Sequence, residues 1–277
     1  MNLVEEEIAG SGGARLHTLR ALVEAPRGAL AVVHGYGEHC GRHAGVVELA
    51  NRLGLCCYLY DQRGHGRSSG RRGAIASWDD YLEDLAAFLA WADGQPGGPP
   101  RALLGHSMGG LVAASYLLER PHGMRLLILS SPLFALATPV RGARLAQARV
   151  ASRLAPWLSL ATAIKPEMLS HDPEVVANYA SDPLVHRVAN ARWFTEQDAA
   201  QARCLARAAE LKVESLLVMY GQEDRLVDPG GAERFFQAAT VADRQRLAYA
   251  GLRHEIFNEV ERQKPLGDLE RWLGQRM

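Results

Sequence analysis

Ser107 stands in Gly105-His106-Ser107-Met108-Gly109, with the apolar run Ala102-Leu103-Leu104 before it and an apolar stretch, residues 111–118, after it. A chain that must pass from strand to helix within so few residues has little conformational choice. The bend forces strained backbone angles on the serine and leaves no room for side chains at Gly105 or Gly109. It also lifts the hydroxyl clear of the sheet edge. The helix that starts near Met108 then offers unpaired N–H groups and the positive end of its dipole to any negative charge that develops there. A serine that merely caps a helix is the bland alternative; the flanking strand and helix favour a nucleophile.

The rest of the chain repeats this alternation. Residues 14–20, 30–34, 55–60, 102–104, 126–129, 216–219 and 245–249 read as short strands, and residues 45–53, 78–91, 111–118 and 256–273 carry helical spacing. Pro26-Arg27-Gly28 and Gln95-Pro96-Gly97-Gly98 are turn signals between them. Strands alternating with helices predict an α/β fold: a mostly parallel, doubly wound sheet of about eight strands with helices on both faces. With 277 residues, 48% of them hydrophobic, the chain can bury such a core. Between residues 132 and 211 the alternation stops. About 75 residues is far more than a crossover connection needs. The stretch therefore reads as an inserted helical cap, 133–210, on a core made of 1–132 and 211–277; a continued outer layer of helices is the other reading.

The nucleophile needs a base, an acid and oxyanion donors. On an alternating sheet of this kind the chain order is Ser, then Asp or Glu, then His. Of the ten histidines, His34, His39, His43 and His65 precede Ser107, and His122, His171 and His186 precede the penultimate strand. His106 adjoins Ser107 on a strand end, so its ring should point away from the hydroxyl. His254 follows the last strand and is the predicted base. Asp224, a short turn beyond strand 216–220, is the predicted acid. Asp228 precedes Pro229 and reads as a helix N-cap, with Glu223 as a further alternative. The backbone N–H groups of Met108 and Tyr36 are the predicted oxyanion hole, unless residues 33–37 form a plain glycine turn.

Lys plus Arg and Asp plus Glu number 31 each, so no basic excess points to nucleic acid. Cys40, Cys56, Cys57 and Cys204 show no metal-type spacing and read as buried free thiols, with Cys56 and Cys57 on opposite strand faces. No metal and no cofactor is expected. No signal peptide is evident, and no apolar run approaches the roughly 20 residues of a membrane span, so a cytoplasmic protein is the default.

Longer motifs narrow this further. His34-Gly35-Tyr36-Gly37-Glu38-His39, Asp61-Gln62-Arg63-Gly64-His65-Gly66, Gly105-His106-Ser107-Met108-Gly109-Gly110, Ser181-Asp182-Pro183-Leu184 and Gly251-Leu252-Arg253-His254-Glu255 run through almost the whole chain. On them the sequence resembles the monoacylglycerol lipase and lysophospholipase family of α/β-hydrolases, grouped with serine aminopeptidases. The resemblance implies the α/β-hydrolase fold and cofactor-free hydrolysis of a single fatty acyl ester from a small polar head such as glycerol, through an acyl-enzyme. A lysophospholipase, carboxylesterase, thioesterase, peptidase or acyltransferase on the same triad, or a lipid-binding relative without turnover, stays open. Cys40 stands where the family often has Ser, and His43 where it often has an aromatic residue. Asp61 and Arg63 are expected to form an ion pair that shapes the loop beside the oxyanion hole. In the cap, Arg141, Arg144, Arg149 and Arg153 interleave with Leu145, Val150, Leu154, Trp157, Leu158 and Leu160. The favoured reading packs that apolar face on the core; the other is transient contact with a membrane or micelle.

Overall fold

Apolar runs buried on both faces form the central strands, and the stretches with helical spacing cover them. The computed structural model describes residues 2–121, 123–140, 142–162 and 164–277. β1 (Asn2–Ala9) and β2 (Arg15–Leu22) lead into β3 (Gly28–Val33), α1 (Ala44–Arg52), β4 (Leu55–Tyr60), α2 (Asp79–Asp93), β5 (Ala102–His106), α3 (Met108–Glu119) and β6 (Leu126–Ser130). Then come α4 (Gly142–Leu154), β7 (Ser159–Ala161), α5 (Pro173–Ser181), β8 (Val188–Asn190) and α6 (Ala191–Arg207). The chain closes with β9 (Ser215–Gly221), α7 (Pro229–Ala238), β10 (Asp243–Tyr249) and α8 (Gln263–Gly274).

Eight strands make one sheet in the order β1-β2-β4-β3-β5-β6-β9-β10. The β1–β2 and β2–β4 pairings are antiparallel and the other five are parallel, which is the α/β-hydrolase arrangement. The chain steps from β3 outward to β4, then jumps back past β3 to lay down β5. Winding direction reverses there, so the loops leaving the carboxyl ends of β3 and β5 diverge and open a crevice. Successive strand residues feed two cores. Ala31, Val33 and Cys56 pack with α2 and α3, whereas Leu30, Val32 and Cys57 pack with α1 and α8. All four cysteines are buried and free.

Several expectations need correction. β1 shows no clear apolar alternation in the sequence, because it is an edge strand bearing Glu5, Glu6 and Glu7. The final helix starts at Gln263 rather than 256. The residues before it are held by the Glu259 carboxylate, which accepts from the N–H groups of Arg253 (2.8 Å), His171 (3.0 Å) and Val260 (3.2 Å). The segment 133–210 is not all helical: β7 and β8 pair antiparallel, Ser159 opposite Asn190, in strands too short to announce themselves by periodicity.

Arg63 does not pair with Asp61. The chain turns directly after β4 and swings Arg63 toward α2, where its Nε and Nη2 reach Asp84 at 2.5 and 2.7 Å and Nη1 reaches Asp80 at 3.3 Å. Asp80 and Asp84 are one helical turn apart and so present both carboxylates on one face.

The favoured reading of the cap's apolar residues holds only in part: Leu158 lines the cavity and Leu145 is half-buried. α4 turns Arg144, Gln147, Ala148 and Ala151 inward, and Ser152 Oγ hydrogen-bonds Thr195 Oγ1 of α6 at 2.8 Å. That leaves Val150 (56% exposed), Leu154 (74%) and Trp157 (61%) on the outside. Arg141 and the side chain of Leu160 lie outside the described residues, as does His122. Among the described residues no helix is long and apolar enough to cross a membrane.

Candidate active site

Ser107 occupies the bend between β5 and α3 with φ 51° and ψ −118°, a conformation L-residues adopt only under constraint. The constraint is visible around it. Its N–H donates to the Ser130 carbonyl at 2.9 Å, and its own carbonyl accepts from Gly110 and Leu133 at 3.0 and 2.9 Å. A Cβ on Gly105 would sit 2.4 Å from the Gly109 carbonyl oxygen, and one on Gly109 would sit 2.2 Å from that of Val33. The glycines thus let β3, β5 and α3 close on one another, and the serine absorbs the strain. Its hydroxyl makes no hydrogen bond to a described residue and faces a cavity.

His254, in the loop after β10, lines the same cavity. Its Nδ1 lies 2.6 Å from Asp224 Oδ2. The other Asp224 oxygen accepts from the N–H groups of Leu226 and Val227, both at 2.9 Å, so the carboxylate is locked by a turn after β9 and aimed at the imidazole. Burial lowers the His254 pKa, but the Asp224 carboxylate beside it, helped by Glu255 and Glu38, brings the net value above that of an ordinary histidine. Asp228 caps α7 by accepting from Gly230 N–H at 2.9 Å, and Glu223 is exposed; neither reaches His254. His106 does not point clear of the site. Its ring centroid lies 5.0 Å from that of His254 and its Nδ1 lies 3.2 Å from Ser130 Oγ. Burial holds it well below the usual imidazole pKa, so it is a neutral wall.

The N–H groups of Met108 and Tyr36 have no backbone or side-chain acceptor among the described residues. Gly35 packs against the nucleophile: a Cβ there would be 3.1 Å from Ser107 Cβ. Residues not singled out for a role hold this loop. Glu38 Oε1 accepts from Gly35 N–H at 2.5 Å, and Arg42 lies 3.3 Å from Glu38 while forking onto both oxygens of Glu255 at 2.8 and 2.7 Å. Burial disfavours charge on Glu38, yet His43 and Arg42 hold its pKa well below the usual carboxylate range. One buried ionic chain therefore ties the loop after β3 to the residue next to His254. Its only sequence signal is the Gly-Glu-His and His-Glu runs of the motifs. Ser131 adds a brace, donating from Oγ to the His254 carbonyl at 2.7 Å. Cys40 and His43 do not line the main cavity; His43 borders a small one beside Arg42.

The main cavity holds about 590 Å³. Leu133, Leu136, Val140, Ile164 and Leu169 contribute apolar wall, all from residues 133–210, while Ser107, His254 and Glu38 are polar. Such an enclosure takes an extended apolar group and directs a polar function toward Ser107.

Comparison with known proteins agrees with this chemistry. A family model described as serine aminopeptidase, S33, matches residues 24–261. The monoacylglycerol lipase of Mycolicibacterium smegmatis is 32% identical over 270 residues, which cover 97% of this chain and 96% of that one. The monoglyceride lipase of Homo sapiens is 30% identical over 255 residues, 91% of this chain and 84% of its own length. The crystal structure of Paleococcus ferrophilus monoacylglycerol lipase superposes with a TM-score of 0.84 at 29% identity, over 100% of both chains.

Proposed function

Because the chain belongs to the serine aminopeptidase S33 family of hydrolases, we propose that it cleaves monoacylglycerol to fatty acid and glycerol, with Ser107 as nucleophile, His254 as base and Asp224 as orienting acid. The observation that carries this reading is the 2.6 Å contact of His254 Nδ1 with Asp224 in a cavity shared with the strained Ser107.

With Nδ1–H donated to Asp224, the neutral imidazole keeps a lone pair on Nε2. That nitrogen takes the Ser107 proton as Oγ attacks the ester carbonyl. The carbonyl oxygen becomes an oxyanion and accepts from the Met108 and Tyr36 N–H groups. His254 then gives the proton to the departing glycerol oxygen, leaving the acyl group on Ser107. A water molecule loses a proton to His254 and attacks the acyl-enzyme; fatty acid leaves and Ser107 regains its proton. The apolar wall accommodates the chain, each buried CH₂ contributing about 0.8 kcal/mol.

Residues 133–210 serve in this reading as a lid on the core, and the exposed Val150, Leu154 and Trp157, with Arg149 and Arg153 beside them, rest on a lipid surface during substrate uptake. Such association is peripheral.

Ser107→Ala should lower kcat by about 10⁴-fold or more and abolish labelling by a fluorophosphonate probe, with the thermal midpoint little changed. Turnover retained in a clean preparation sinks the nucleophile assignment. Across monoacylglycerols, lysophospholipids and aminoacyl amides, kcat/KM should be highest for monoacylglycerol; preference for the amides would overturn the substrate.

A further inference from the structure

Away from the cavity, the fold brings together three side chains that hydrolysis does not use. His17 on β2, Cys40 after the loop following β3, and Asp61 directly after β4 each offer one ligating atom, all within 4.8 Å of one another. All three residues are buried, and none lines the catalytic cavity. The Asp61 carboxylate is held in place by the N–H groups of Cys40 and Arg67, each at 2.8 Å, one on each oxygen. The His17 ring makes no hydrogen bond to a described residue, and its Nε2 lies 4.0 Å from Glu5 Oε2 on β1. Arg67 pairs with that same Glu5 oxygen at 2.7 Å.

We propose that His17, Cys40 and Asp61 bind one Zn²⁺ ion, with a water molecule completing the four-coordinate shell. Imidazole, thiolate and carboxylate are the donors of four-coordinate zinc, whereas Mg²⁺ and Ca²⁺ take oxygen throughout. On binding, the Cys40 S–H bond breaks, a sulfur–zinc bond forms and the proton passes to solvent; nothing is oxidised or reduced. A thiolate and two carboxylates set against Arg67 leave negative charge for a divalent cation to balance. The ligands come from separate elements, so occupancy would pin β2, the Cys40 turn and the end of β4 to one another. A serine at residue 40 would supply a far weaker ligand, so the site depends on the departure from the family pattern. It is independent of the hydrolytic assignment.

The test is calorimetric titration of the chelator-treated full chain with ZnCl₂ alone, repeated with Co²⁺ under an absorbance readout. One ion should bind per chain, with a heat that varies with the buffer's ionisation enthalpy because a proton is released. Cobalt should produce a thiolate-to-metal charge-transfer band. Losing a residue that merely orients a ligand costs about 10–100-fold in metal affinity; Cys40→Ser and His17→Gln should each cost at least as much, and Cys40→Ser should also remove the band. Unchanged ester hydrolysis by both variants reports that they are folded. Absence of a one-to-one event in the wild-type chain overturns the proposal, as does affinity unchanged in either folded variant.

Discussion

His254 is pulled two ways. Burial disfavours its charged form, while Asp224 at 2.6 Å, helped by Glu255 and Glu38, favours it, and the carboxylates prevail. In its proposed role as base His254 must be neutral, so the rate should fall as pH drops through this raised pKa, placing the acidic limb of kcat/KM above that of an ordinary histidine. Asp224→Asn removes the upward pull and no longer selects the productive tautomer. The limb should move to lower pH and kcat should drop by about 10⁴-fold. A pH–rate profile of both proteins checks this; an unmoved limb would contradict the assignment of the shift to Asp224. The same raised pKa has a consequence for stability. Protonated His254 favours the folded state, so its contribution is complete below the unfolded histidine pKa and is lost as pH rises through the folded value.

Among the elements, the loop between β3 and α1 carries the greatest demand. In the proposed mechanism it must present the Tyr36 N–H to the oxyanion without a regular hydrogen-bond ladder, and Glu38, Arg42 and Glu255 brace it. Both arms of the Arg42 contact are buried, with side chains no more than 8% exposed. Arg42→Met should therefore cost about 3–5 kcal/mol, because two carboxylates are left buried without their cation. It should lower kcat/KM as well, since the loop is released from the residue beside His254. Urea denaturation and steady-state kinetics measure the two effects. A loss below about 1 kcal/mol would show that other contacts hold the loop.

At the scale of the molecule, the exposed apolar face of α4 and the turn after it is the feature least suited to water. Leu154 and Trp157 stand clear of the cavity wall, so changing them tests the surface alone. The pair Leu154→Ser with Trp157→Ser should weaken sedimentation with anionic phospholipid vesicles and raise the apparent KM for micellar long-chain monoacylglycerol. Hydrolysis of a dissolved short-chain ester should keep its kcat. Equal vesicle binding by the two proteins would remove the lipid-surface reading of this face.

What the chain declared in its own order was local or periodic. The strand–glycine–serine–glycine–helix bend, the runs 30–34 and 55–60, and the position of His254 after the last strand all follow from nearest-neighbour sterics and from hydrophobic spacing. Asp224 was one of three carboxylates in a short stretch; the turn that locks one of its oxygens on Leu226 and Val227 is what separates it from Glu223 and Asp228. Tertiary packing alone decided the rest. Arg63 chose Asp84 because a turn redirected it, α4 left Val150 and Leu154 outward because Ser152 docks on α6, and β7 met β8 across an intervening helix. His17, Cys40 and Asp61 likewise came together from three parts of the chain. Pairings of that kind depend on where distant backbones come to rest, and composition or spacing along one strand or helix holds no record of it.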